Sequence, residues 1–275
     1  FSIGCSAIIV VYFASDLQYG AKLLHIHEAI IILGACFIQI VLLNIVFFHI
    51  DRRVRRTSAT FKVYFLAMLG YYVPFLLVAF LGFQLYSLRD ELLSSWGGSA
   101  VFVFLLMVLV YGSGALYPWI IRLTRRTRPV PEGLRSRLDA LCRKTGVQCR
   151  IFILETDALK FSNMLAEGLW PGNYRVFIFS YALEKLSPEE LDNIFLHELA
   201  HFKMDHPRIR LHIIFVFLLL LVLGDTWLRA SGMETYQVVL VVTAIVSYVL
   251  ISRWISRHQE KEADEFAVAR SDAPQ

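Results

Sequence analysis

The sequence predicts a mainly α fold: a polytopic membrane helical bundle with a small α+β domain inserted in it. Three observations predict this. Hydrophobic residues make up 57% of the 275 positions and charged residues only 18%, against about 45–50% and about 25% in a soluble domain. Five long apolar runs lie at 26–50, 63–86, 100–121, 209–224 and 236–254, and a helix needs about 20 residues to cross a hydrocarbon core about 30 Å thick. Residues 122–207 then break the pattern with prolines, charged helix faces and short alternating segments. Disorder is excluded for the bulk of the chain, since it needs low hydrophobicity and high charge.

The opening run, Ile3–Ala14, has no basic stretch before it. It is expected to be a trimmed transmembrane helix rather than a signal peptide. Ile26–Ile50, Val63–Tyr86 and Ala100–Ile121 clear the spanning length. Ile209–Gly224 is short and Tyr236–Trp254 marginal, and the residues around Asp225 are expected to lengthen that pair. His27, Glu28, Asn44 and His49 lie near the ends of one run, where capping or snorkelling explains them better than a transport path. Pro74 with Gly70, and Gly112 with Gly114, mark kinks or close helix packing.

Basic residues give the orientation. The segment 15–25 has only Lys22, whereas 51–62 has Arg52, Arg53, Arg55, Arg56 and Lys62. The segment 87–99 has only Arg89. Residues 122–208 open with Arg122, Arg125, Arg126 and Arg128 and close with Lys203 and Arg208. The segment 225–235 has only Arg229, and the tail has Arg253, Arg257 and Lys261. This alternation puts the 122–208 segment and the tail on the inner face. The net charge of +4 is therefore a topology signal, with anionic lipid as the partner it suits; no base-reading or aromatic-basic platform accompanies it, and nucleic acid is not an expected partner. Cys5 and Cys36 lie in apolar runs, and Cys142 and Cys149 form no CxxC pair, so no disulfide framework is expected.

Within the insert, Pro129 and Pro131 precede an amphipathic helix at Glu132–Thr145, with Leu134, Leu138 and Leu141 at helical spacing and Gly146 as its stop. Val147–Leu154 reads as a strand, Phe161–Gly172 as a loop or hairpin, and Pro171-Gly172-Asn173 as a turn. Arg175–Ser180 alternates with the period of a strand, and a helical turn follows at Tyr181–Leu186. Ser187, Pro188 and Glu190 then form a helix start, with Ser187 as N-cap and Glu190 completing a capping box. Leu191, Ile194, Phe195 and Leu199 supply the apolar stripe of a helix over Ser187–Lys203.

That helix carries His197-Glu198-Leu199-Ala200-His201. Two histidines four apart share one helix face and can reach one zinc ion, while Glu198 can act as base toward a water there. With 8 His and 13 Glu, random placement gives the pattern about 0.01 times per chain. A third protein ligand is needed. His206 and Asp205 are nearest in sequence. Glu260 is the better candidate, because Glu260 and Asp264 share one helical face on the same side of the membrane. Asp264 then orients a ligand histidine from the second shell.

The combination resembles the M48 family of integral-membrane zinc metallopeptidases, which includes HtpX-like proteases and Ste24-like CAAX prenyl proteases. The resemblance rests on His197–His201, the apolar pair after it and Glu260-Lys261-Glu262-Ala263-Asp264, with Leu186–Leu191 as lead-in, and it covers about 130–270. It implies that the small domain is a zincin-like metalloprotease domain. It implies one Zn(2+) per chain on His197, His201 and Glu260, with Glu198 as general base and Asp264 in the second shell. It also implies a substrate-edge region containing Asn163, with Arg175, Val176, Phe177 and Ile178 as a strand that an extended substrate pairs with. His206, Arg208 and Arg257 are local candidates for the donor that holds the tetrahedral intermediate.

The expected organisation is therefore N-terminal transmembrane helices at 1–121, an inner-face protease domain with the zinc helix at 122–207, a transmembrane pair at 208–255 and a third-ligand helix at 256–275. The expected function is a zinc-dependent endopeptidase acting on membrane proteins or hydrophobic or lipidated peptides. Its expected place is the bacterial inner membrane, with the catalytic domain on the cytoplasmic side. Two other readings stay open: an M56-like membrane signalling protease or sensor, and a non-catalytic metal-binding scaffold.

Overall fold

The computed structural model describes residues 25–271 except 55 and 58; the run at 3–14 lies outside the described residues. Each of the five long apolar runs falls in a helix. In chain order these are α1 (His25–Val54), α2 (Phe61–Ser87), α4 (Trp96–Thr124), α8 (His206–Ala230) and α9 (Gln237–Arg270), with the short α3 (Arg89–Leu92) between α2 and α4. Among the described residues, α4, α8 and α9 are long and apolar enough to cross a membrane. Between α4 and α8 lie β1 (Thr127–Arg128), α5 (Glu132–Thr145), β2 (Arg150–Leu154), β3 (Met164–Glu167), β4 (Arg175–Phe179), α6 (Ser180–Lys185) and α7 (Pro188–Lys203).

The chain forms two compact units. One takes in the described residues up to Asp51, Phe61–Ser113 and Ile213–Leu250. Here Phe48 packs against Phe61 and Tyr64, and Leu221 and Val241 form a small core with Phe217, Leu240 and Ile245. Large apolar side chains such as Leu220, Val239 and Leu250 stay exposed, as befits surfaces that lipid covers. Asp225 is fully buried in this unit. It accepts hydrogen bonds from Tyr86, Arg89, Arg229 and Gln237 at 2.9–3.2 Å. The short apolar run before Asp225 is thus the front part of a 25-residue helix that continues past it.

The other unit takes in Arg52–Thr60, Gly114–His212 and Ile251 onward. Its sheet has the strand order β1-β2-β4-β3. β2 and β4 are parallel, and both outer pairs are antiparallel. Leu138 of α5 and Leu191, Phe195, Leu199 and Phe202 of α7 pack on Met164, Val176 and Ile178 on one face. Ile121 and Tyr117 from the end of α4 cover Phe177, Phe179 and Leu154 on the other. With both faces covered, every residue of β4 is buried.

That topology corrects one expectation. Arg175–Phe179 is hydrogen-bonded on both sides, so Arg175, Val176, Phe177 and Ile178 leave no edge for a substrate to join. Arg175 instead stacks on Trp119 at 4.0 Å and donates to the backbone and side chain of Asn173. The edge passes to β3, inside the segment expected to be a loop or hairpin. Asn163, just before β3, is tied inward: its carbonyl accepts from the Phe179 N–H at 3.1 Å. Gly168 ends β3 at φ +128, where a Cβ would stand 2.4 Å from the Asn173 carbonyl oxygen, so only glycine fits the turn.

Candidate metal centre

The helix α7 begins as its sequence dictates. Ser187 Oγ accepts from the Glu190 N–H at 3.2 Å, and the Glu190 carboxylate accepts from the Ser187 N–H at 2.8 Å. Pro188 occupies the first turn. These contacts satisfy backbone groups that a helix start leaves free. The apolar stripe seats α7 on the sheet and turns His197 and His201 away from it.

The two Nε2 atoms lie 3.2 Å apart. Glu260 Oε2 stands 3.2 Å from the first and 3.8 Å from the second. These three side chains, all offering a ligand atom to one point, form a cluster that can hold a metal ion. The donor set suits zinc: two neutral imidazoles and a carboxylate leave a fourth position open. The remaining atoms support this. Asp264 Oδ1 lies 2.8 Å from His197 Nδ1. An ionised carboxylate only accepts, so Nδ1 carries the proton and Nε2 keeps its lone pair for a metal. Burial, and then the neighbouring His197, push His201 down to about 3, which keeps it neutral and able to ligate.

Glu260 and Asp264 reach α7 because α7 and α9 meet through Ala200 and Ala263, both fully buried, with Phe266 beside them. Arg210 then fixes Glu260. Its Nη2 donates to Oε1 at 3.1 Å while its Nε donates to Gln259 at 2.6 Å, leaving Oε2 to face the imidazoles. Sequence reasoning missed Arg210 and Gln259. A basic residue at the mouth of an apolar run reads as topology charge, and its partner is visible only once α8 and α9 lie together.

Glu198 is kept apart from the cluster. Its Oε2 accepts from the Ala166 N–H of β3 at 3.0 Å, which places it at the sheet edge. Burial pushes its carboxyl up to about 7, against smaller opposing effects of His197 and the Ala166 hydrogen bond. The other sequence candidates fall as follows. Asp205 turns to Arg208 and to Tyr174 Oη, so Asp205 is not in the cluster and Arg208 is held in an ion pair. His206 lies behind His201, with 2.8 Å between their Nδ1 atoms. Arg257 lines an open cleft beside Glu260, together with Arg253, Ser256, Lys261 and Asp264.

Comparison with known proteins agrees with this geometry. The model of peptidase family M48 matches residues 134–274, a stretch that contains the whole cluster. No curated protein matches the chain. Among solved structures, the crystal structure of Ste24p from S. mikatae is similar in fold, with a TM-score of 0.54 at 16% identity. The likeness covers 78% of this chain and 57% of that one, so the chain spans somewhat over half the length of that structure.

Proposed function

The chain belongs to peptidase family M48, and from that premise we propose that it is a zinc-dependent endopeptidase hydrolysing peptide bonds in membrane or membrane-proximal chains. One observation carries the reading. Two imidazoles and Glu260 converge on one point, while Glu198, beside them, is held out of the ligand set against the sheet edge. A scaffold needs the ligands but has no use for that fourth group.

Zinc at this point supplies Lewis acidity toward a water and the scissile carbonyl. The chain's own residues do the rest. Glu198 takes the proton of the attacking water as the new C–O bond forms. It then passes that proton to the amine as the C–N bond breaks. Burial raises the basicity of that carboxyl, which favours its taking a proton. Asp264 and Arg210 hold His197 and Glu260 in register. As a terminal strand of the sheet, β3 is the one that an extended substrate would pair with, and Arg257, which lines the cleft beside Glu260, would meet negative charge there.

The three long apolar helices point to hydrophobic or lipidated substrates that arrive through the bilayer. The alternation of basic and sparse segments supports a site on the cytoplasmic face. The test is Glu198→Gln in the detergent-purified full chain, assayed on casein and on a quenched-fluorescent peptide library. Zinc should stay at one per chain by elemental mass spectrometry, and hydrolysis should fall at least 10³-fold, within the range of a lost general base. Hydrolysis that survives the change unaltered removes Glu198 from this role. A wild-type protein that binds zinc and cleaves nothing favours the scaffold.

A further inference from the structure

His206 is buried, with 2% of its surface exposed, yet it lies outside the ligand cluster. Its position depends on a local break in the chain. After α7, Asp205 takes the left-handed conformation at φ 58, which aspartate tolerates better than most residues. Residues five apart on a continuous helix point well away from each other. The break at Asp205 folds His206 back, so that its Nδ1 lies 2.8 Å from Nδ1 of His201. On its far side, His206 Nε2 faces Glu262 Oε2 across 3.3 Å. That contact is an ion-pair distance rather than a well-formed hydrogen bond, and the Glu262 carboxylate is the polar group that this buried nitrogen faces.

Proton positions follow from the chemistry of the groups. A carboxylate oxygen of Glu262 is what faces Nε2 of His206, and an imidazole turns its N–H toward such an acceptor, which assigns the His206 proton to Nε2. A neutral imidazole has one such proton, so His206 Nδ1 bears a lone pair. Two nitrogens 2.8 Å apart need one donor between them, and that donor is His201 Nδ1–H. His201 Nε2 is then left with its lone pair, facing His197 Nε2 and Glu260 Oε2.

We propose that His206 and Glu262 are positioning residues that form a relay, fixing the tautomer and ring orientation of His201 so that Nε2 is its ligand atom. The proposal rests on the reading of the cluster as a zinc site. It gives the two histidines matching supports. His197 is set directly by Asp264. His201 lies deeper, and the buried imidazole of His206 carries the influence of Glu262 to it. Glu260, Glu262 and Asp264 all leave α9, so one helix end supplies a ligand and both orienting carboxylates.

The experiment measures zinc affinity of the full chain in detergent by competition with a chromophoric chelator, alongside the visible absorption of the Co(2+)-loaded protein. His206→Phe should weaken zinc binding 10–100-fold and alter the cobalt spectrum. Glu262→Gln should do likewise, because its amide can donate to His206 Nε2 and favour the wrong tautomer. His206→Gln, whose carbonyl can accept from His201 Nδ1, should recover most of the affinity. In the His206→Phe background, Glu262→Gln should cost nothing further, since the relay is already cut. Independent, additive losses would overturn the relay, as would wild-type affinity in Glu262→Gln, an isosteric change at a half-exposed side chain. Glu260→Ala is the control for the site itself. Zinc lost there but unchanged in His206→Phe sinks the relay alone, whereas no zinc in the wild type sinks the site reading and the relay with it.

Discussion

At Glu167 the edge strand carries a carboxyl that the fold holds against ionisation. The residue keeps part of its surface open. Even so, burial of its carboxyl, and then the neighbouring Glu198, push it up to about 8, opposed in part by Arg210. An unfolded glutamate titrates near 4.5. Below that pH both states are protonated and the group has no effect on stability. Between about 4.5 and 8 the unfolded chain ionises first, so the group weakens folding increasingly as pH rises, and the effect levels off above 8. Glu167→Gln removes the titration. The expected result is a variant whose Tm in detergent matches wild type near pH 5 and exceeds it by a growing margin up to pH 8. A margin that stays flat with pH would mean that Glu167 ionises freely in the fold. At this scale the H-E-x-x-H motif is open to sequence reading, because His197, Glu198 and His201 lie close together on one helix. The role of His206 was not, because it depends on the backbone at Asp205, which no spacing rule encodes.

Elements show the same contrast. The apolar stripe and capping box placed α7 from local signals alone. β4 misled for a physical reason: alternation of Val176 and Ile178 with Phe177 and Phe179 suits an edge strand facing one core, but equally an interior strand facing two. Burial of both faces decides for the second. β3, Met-Leu-Ala-Glu, has no strand signature of its own and is a strand because β4 pairs with it. The approach of α7 and α9 was legible only as a motif, and the structure supplies its cause. Ala200 and Ala263 are both fully buried where the helices touch, and small side chains there permit the short separation that brings Glu260 to the imidazoles. Ala263→Leu forces the helices apart at a cost of about 1–3 kcal/mol in overpacking and carries Glu260 and Asp264 out of reach. Zinc affinity by chelator competition should fall at least tenfold while the helical circular dichroism stays unchanged, and Ala263→Gly should bind zinc nearly as wild type. Tight zinc binding in the leucine variant would mean that the helix contact does not set the site.

Over the whole molecule, the two halves of the ligand set are separated in sequence by all of α8 and most of α9. They meet only because the chain travels out along one apolar helix, about 37 Å for 25 residues, and returns along the next. The turn between them is secured in its own unit. Asp225 on α8 takes hydrogen bonds from Arg229 on the same helix, from Gln237 at the start of α9, and from Tyr86 and Arg89. Arg89 and Arg229 both pair with Asp225. Arg89 is 7% exposed, and Asp225→Ala leaves this buried cation with only the exposed Asp90 carboxylate at 3.6 Å. Breaking a buried pair from one side costs about 3–5 kcal/mol, whereas replacing both partners with apolar residues is often close to neutral. Asp225→Ala should accordingly lower Tm in detergent sharply, and Asp225→Leu combined with Arg89→Met should recover much of the loss. If the double variant is no more stable than Asp225→Ala, the charge left behind is not the cause, and the hydrogen bonds from Tyr86 and Gln237 to Asp225 hold the turn instead.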